Sequence, residues 1–367
     1  MAHILSIISL AIILYVNYAR GMKKLTLLFA TVLLTNSLVA CSNEPNENSA
    51  VFETIEIPAT ILPTIDMVAT HAIDLDTSIS QLTFVPNSVA PWLGRIIIRD
   101  DDGFLFSTDI EGREPKPVGT GKYIDIFGLA REAAPGVFLT ITEDNKIEAY
   151  IESDDIGNFS PMIYSGERID AKGFCLSHTA ATKAAKILTV NNEFKNISIS
   201  IEDKHLEQTI RELNPGIKKV MEKNPELKNI HECVFSSDKV GPEWALSYET
   251  EVKKVNETGR GFITPIEESN DQSGSRHHPF QLEVSKTDEL LINFSEYIAI
   301  IKNGLSVRGV DHIKYVATTS ANYGGGAYSK GVLALVDADE QRIVFISLSY
   351  AERQLLKAVN QPEDAPQ

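Results

Sequence analysis

Three consecutive acids and a glycine, Asp100-Asp101-Asp102-Gly103, stand between two β-rich runs. Carboxylate oxygens gathered in one turn can hold a Ca²⁺ ion. The same residues also make an ordinary hairpin turn, since Asp-Gly supplies the positive-φ corner without any metal. Two other places have the residue types for chemistry. His277-His278 could join a metal site from within a polar stretch, and NYGGGAYSKG, Asn322 to Gly331, offers backbone amides and Lys330 to a phosphate. No strand-to-helix pattern surrounds that glycine run, so a loop between strands is the plainer account. Gly-x-Ser-x-Gly, His-Glu-x-x-His and Cys-x-x-Cys elements are all absent from the sequence. Cys175 and Cys233 lie in apolar runs, where they could pair in an oxidising compartment or remain buried thiols.

Cys41 stands at a border, with LTNSLVA before it and SNEPNENSA after it. Upstream lie two hydrophobic runs separated by Arg20-Gly21-Met22-Lys23-Lys24, and the second has the basic start, apolar middle and small-residue end of a secretory signal. Residues 22–40 are therefore expected to be a signal peptide. Residues 1–21 would then be an over-extended start or, alternatively, a first membrane-spanning helix of marginal length. Leu38-Val39-Ala40-Cys41 resembles the bacterial lipobox. That resemblance implies cleavage before Cys41, lipidation of its thiol and anchoring of the mature chain to a membrane of the bacterial cell envelope. Ser42, in place of an aspartate, favours the outer membrane, and residues 41–50 would be the tether.

The 367 residues are 43% hydrophobic and 23% charged, a globular composition. The formal net charge is −16, and because the first forty residues hold three basic groups and no acid, the remainder carries about −19. Nucleic acid is a poor partner for such a surface, since phosphate contacts need clustered Lys and Arg. Divalent cations are more natural companions, although acids that merely keep a surface soluble have the same composition.

Beyond position 50 the chain repeats itself. RIIIRDDDGFLFSTDIEG from Arg95, VFLTITEDNKIEAYIESDD from Val137, KILTVNNEFKNISISIEDK from Lys186 and VLALVDADEQRIVFISLSY from Val332 are each two β-rich runs about a polar turn, the pattern of a hairpin. The first three begin 42 and then 49 residues apart, the length of one four-stranded propeller blade. A second repeated element, YIDIFGLAREAAPG, RIDAKGFCLSHTAA and NIHECVFSSDKVG, reads as the inner strand of successive blades. An all-β propeller over 51–367 is expected, with six four-stranded blades at about 50 residues each, or seven. Helical periodicity is scarce. The best helix candidate, 205–227, could be an insertion between blades, the alternative being an outer strand followed by a loop, and 256–280 reads as a long surface loop.

GFLFSTDIEGRE (Gly103 to Glu114), YIDIF (Tyr123 to Phe127), EDNKIEAYIE (Glu143 to Glu152), GFCLSH (Gly173 to His178) and ECVFSSD (Glu232 to Asp238) follow one another in the order and spacing of the β-propeller phytases. The sequence thus resembles that family of six-bladed, calcium-dependent phosphohydrolases of myo-inositol hexakisphosphate. The resemblance spans about Asp74 to Val255 and weakens toward the end. It implies a ring of carboxylates at one mouth of the channel, holding calcium ions that polarise the substrate phosphates and activate water.

Several of those acids are replaced. Where the family has Asp-Asp-Pro-Ala-Ile-Trp, this chain has DTSISQLTF from Asp76, and Asn-Asn-Val-Asp becomes Lys122-Tyr123-Ile124-Asp125. The Glu-Gly-Cys element becomes His231-Glu232-Cys233, and the following Glu-Glu-Asp becomes Ser247-Tyr248-Glu249. A multi-calcium site stripped of most ligands no longer offsets the dehydration of the ion. The expectation is therefore a non-catalytic accessory or binding module for a phosphorylated small molecule or an envelope protein. The alternative is an active calcium-dependent 3-phytase or other phosphoester hydrolase, in which Asp125, Glu143, Glu232 and Glu249 would be the catalytic acids.

Overall fold

The computed structural model describes residues 62–87, 89–113, 115–129, 136–153, 155–165, 168–177, 184–191, 194–200, 205–211, 233–236, 251–254, 259–263, 280–285, 287–292 and 297–360. They belong to one compact unit that begins at Thr60.

The first blade is an antiparallel meander of β3 (Ile79–Val85), β4 (Arg95–Asp100), β5 (Leu105–Thr108) and β6 (Lys116–Val118). The second repeats it with β7 (Tyr123–Gly128), β8 (Val137–Thr142), β9 (Ile147–Glu152) and β10 (Phe159–Pro161). The third is β12 (Ala171–Ser177), β13 (Ala184–Thr189), β14 (Phe194–Ser200) and β15 (His205–Arg211), with β11 (Ile163–Ser165) added in parallel at its outer edge. So 205–211, the start of the helix candidate, is an outer strand. Of the fourth blade, β16 (Cys233–Ser236) and β17 (Glu251–Lys254) are described.

The fifth blade comprises β18 (Gly259–Ile263), β19 (Phe280–Val284), β20 (Leu290–Ile292) and β21 (Tyr297–Lys302), with β1 (Thr64–Val68) parallel to β21 outside it. The sixth has β22 (Ile313–Thr319), β23 (Val332–Asp337) and β24 (Arg342–Ser347), and takes its outer strand from the front of the chain, β2 (His71–Asp74). Inner strands run side by side around the ring: β22 lies against β3, β3 against β7 and β7 against β12. Parallel backbone pairing continues this contact from β12 to β16 and from β18 to β22. The fold is an all-β propeller, and among the described residues six inner strands mark six blades.

The core lies between blades. On β4, Ile96 and Ile98 pack with Val332, Ala334 and Phe345 of the sixth blade, while Ile97 between them packs with Tyr123, Ile126 and Phe138 of the second. On β8, Leu139 and Ile141 likewise face Phe174, Ala185 and Ile187 of the third blade, and Phe138 faces the first. Strands buried on both faces have no polar alternation, which is why RIII, VFLTI and VLALV read as continuous apolar runs.

One element has no counterpart in the expectations above. A helix, α1 (Leu348–Asn360), follows β24 and buries Leu348, Ala351 and Leu355 in the same cluster as Ile65 and Met67 of β1. Its apolar residues recur at helical spacing, but only over a few turns directly after a strand, and that short signal was hidden by the hairpin it continues.

Candidate functional site

In an antiparallel meander, turns alternate between the two ends of the blade. The turns Asp100–Gly103 and Thr142–Lys146 therefore lie at the end where inner strands begin. This end, called the acidic rim, carries Glu143 and, just inside it, Asp125. Neighbouring turns there are joined by backbone hydrogen bonds. Tyr123 N–H donates to Gly103 O at 2.8 Å, Glu143 N–H to Lys122 O at 3.2 Å, and Ala171 N–H to Asn145 O at 2.9 Å. Two ion pairs bridge blades at the same rim: Lys314 Nζ holds both oxygens of Asp101, at 2.8 and 3.0 Å, and Lys146 Nζ reaches Asp170 at 2.5 Å.

Asp100 to Gly103 form a hairpin turn. The Asp100 carboxylate accepts Phe104 N–H at 2.8 Å, Gly103 takes the corner with φ of +88°, Asp101 is bound to Lys314 and Asp102 is exposed. Glu143 is exposed at the tip of the next turn, beside Asp144. His312 stands on this rim too, its Nδ1 2.8 Å from Asp339 Oδ2, and the Asp339 carboxylate raises the imidazole's affinity for a proton.

Asp125 sits just inside the rim, and its environment decides its role. Each of four inner strands carries a bulge near its start, with the register shifting between Ile79 and Gln81, Tyr123 and Asp125, Ala171 and Gly173, and Ile313 and Tyr315. A bulge re-aims the side chain that follows it. In β7 it turns the Asp125 carboxylate into the interior, where the residue is only 8% exposed. Gln81 Nε2 of the first blade donates to Oδ1 at 2.5 Å, Ile126 N–H to the same oxygen at 2.8 Å, and Phe174 N–H of the third blade to Oδ2 at 2.6 Å. Arg99 in turn donates from Nε to Gln81 Oε1 at 3.3 Å and from Nη1 to Tyr123 O at 3.3 Å. One carboxylate thereby ties three consecutive blades. Burial raises its pKa, while the bonds from Gln81, Phe174 and Ile126 and the positive charge of Arg99 pull the other way.

Glu232, Glu249, Cys41, His277 and His278 lie outside the described residues. Among the described residues, no three His, Cys, Asp or Glu side chains are placed to hold a metal ion together. Asp101, committed to Lys314, and Asp125, committed to three donors, do not fit a calcium site. Cys175 is disulfide-bonded, and the parallel register sets Cys233 directly opposite it on β16, which resolves the choice between bond and thiol for Cys175.

At the opposite end of β4 and β23 two loops meet, 86–94 from the first blade and 320–331 from the sixth. Tyr323 is buried and donates its hydroxyl to Arg95 O at 3.0 Å, which anchors NYGGGAYSKG to the first blade as a loop between strands. Trp92 and Val89 project from this end, 67% and 75% exposed. Sequence reasoning passed over Trp92, whose only signal is an indole in a Pro- and Asn-containing segment.

Neither a family model nor any curated protein matches the sequence. Among solved structures, the chain is similar to BBS1N in a complex with ARL6DN, with 10% identity over 75% of this chain and 67% of that one, TM-score 0.30. It is also similar to the Cps50 (Swd1) β-propeller domain of Myceliophteria thermophila, with 10% identity over 76% and 98%, TM-score 0.39. Raptor of Chaetomium thermophilum is 9% identical over 76% of this chain, TM-score 0.40, and the match spans only 29% of Raptor.

Proposed function

We propose that the chain is a lipid-anchored protein of the bacterial cell envelope whose phytase-like propeller is a binding module without hydrolytic activity, presenting a phosphorylated small molecule or docking an envelope protein. The observation that carries the non-catalytic reading is Asp125. It is the acid kept from the family's inner-strand motif, and both its oxygens are spent on holding blades together. The disulfide at Cys175 agrees with an oxidising compartment. Anchoring rests on Leu38-Val39-Ala40-Cys41 and the signal-like segment before it. Propellers serve many functions, so the fold alone does not choose among partners.

The competing reading, a calcium-dependent phosphoester hydrolase, would have to draw on Glu143 together with Glu232 and Glu249. Phosphate release from phytate by the purified chain, with and without Ca²⁺, separates the two. No calcium-dependent release is expected, and release abolished by chelation would overturn the non-catalytic reading. For the anchor, Cys41→Ser should leave an uncleaved precursor carrying no labelled fatty acid. Normal processing and membrane partition of that variant would sink it.

A further inference from the structure

We propose that the paired loops 86–94 and 320–331 form a membrane-facing surface, with Trp92 and Val89 seated at the headgroup level of a phospholipid bilayer. The proposal rests on the anchoring reading above. A tether limits how far the propeller can move from a membrane but does not orient it, so the orientation must come from the propeller's own surface.

The surface is built to hold its shape. Buried Asn87 accepts Val89 N–H at 3.2 Å and Ala90 N–H at 2.9 Å, and a single helical turn, Pro91–Leu93, closes with Gly94 N–H on Pro91 O at 3.1 Å. Beneath it Tyr323 packs so tightly that a Cβ on Gly94 would lie 2.8 Å from its ring. Gly324, at φ of +84°, brings the second loop against Trp92, where an added Cβ would be 3.3 Å from the Trp92 backbone. The indole is thus exposed on a rigid support. An amphipathic ring of this kind favours the boundary between headgroups and acyl chains.

Charge argues for the same occupant. The chain has 50 acids, yet neither loop contains one, and the single formal charge in the pair is Lys330. Further out at the same end the described acids are only partly balanced, since Asp109 and Glu111 share the single Arg113 and Asp155 lies 3.6 Å from Lys116, so the basic character belongs to the loops and the helix beside them. The helix α1, whose Leu348 N–H donates to Gly331 O at 3.2 Å, adds exposed Arg353 and Lys357, while its one acid, Glu352, is buried. Exposed Asp102, Glu143, Asp144 and Asp339 all lie at the opposite ends of the same blades. The loops and the adjoining helix thus offer Lys330, Arg353 and Lys357 and no exposed acid to the headgroups of an anionic bilayer.

The test uses the full chain in vesicles of phosphatidylethanolamine and phosphatidylglycerol. Trp244→Phe leaves Trp92 as the only tryptophan of the chain's two. Its emission should shift to the blue and fall about twofold with acyl chains brominated near the glycerol, the depth reached by interfacial side chains. Hydroxyl-radical footprinting of the unaltered chain gives a second readout that needs no variant, and Trp92 should be protected on vesicles relative to detergent. A chain that floats with the vesicles but keeps Trp92 unquenched and unprotected overturns this proposal and leaves the anchor standing, which would point to a protein as the occupant. A chain that does not float removes the anchoring reading and this proposal with it.

Discussion

Resemblance would make Asp125 a catalytic acid only in an active enzyme, whereas its surroundings make it a structural one. Three donors on two oxygens satisfy the carboxylate, so its removal should strand Phe174 N–H in the interior and leave Gln81 Nε2 only its 3.4 Å bond to Ile126 O. Asp125→Ala is expected to cost about 2–4 kcal/mol, since each buried group left unpaired costs roughly 1–3. Urea denaturation measures it, and a loss under 1 kcal/mol would contradict the clamp. The pH dependence has a definite sign. Burial raises the folded-state pKa of Asp125, so the folded protein takes up this proton before the unfolded chain does. As pH falls from above that raised value toward the ordinary carboxylate range, the wild type should gain stability relative to Asp125→Asn. The gain can reach about 1.4 kcal/mol per unit of pKa separation and levels off below the unfolded value. Denaturation curves of both proteins across this range would show it, and parallel pH profiles would contradict it.

At the scale of elements, the inner strands are packed as closely as backbones allow. A Cβ on Gly128 of β7 would lie 2.0 Å from the carbonyl oxygen of Phe84 on β3, and that oxygen belongs to a strand that cannot step aside. Gly128 N–H also donates to Thr83 Oγ1 at 2.8 Å across the same joint. Gly128→Ala should therefore cost about 1–3 kcal/mol, as overpacking does, with the midpoint of thermal unfolding as the readout. Two joints along, the disulfide at Cys175 lies beside the β12–β16 pairing. Cys175→Ser should lower stability by about 2–4 kcal/mol and make the protein indifferent to reductant. A wild type equally indifferent would show that the bond contributes nothing.

For the whole molecule, the ring depends on its first described strands. β2 supplies the outer strand of the sixth blade through the register His71↔Phe345 to Asp74↔Arg342, so the front of the chain closes what the end of the chain begins. A protein beginning after Asp74 would expose the edge of β24 and lose the hydrophobic cover of Ile73, Ile65 and Met67. It should unfold without a cooperative transition and aggregate through the open edge. Sharp calorimetric melting of that truncation would contradict the closure.

The repeats, the hairpins and the all-β class were legible in sequence because they are local. An apolar run buried on both faces, followed by Asp, Asn or Gly at a turn, carries its own signature wherever it occurs. The inner strand of the second blade was legible for the same reason, as YIDIF. What Asp125 does there was not, because its partners are 44 and 49 residues away and a bulge decides which way it points. The same holds for Asp101, which is paired with a lysine 213 residues later. It holds for Trp92, whose exposure depends on Tyr323 and Gly324 of another blade, and for β2, whose four residues have no meaning as a strand until β24 is beside them. Local pattern determined the hairpins, the all-β class and a blade length that left six or seven blades open. Only the closing of the ring decided which polar groups are spent on structure and which remain at the surface, because that depends on contacts between residues far apart in the chain.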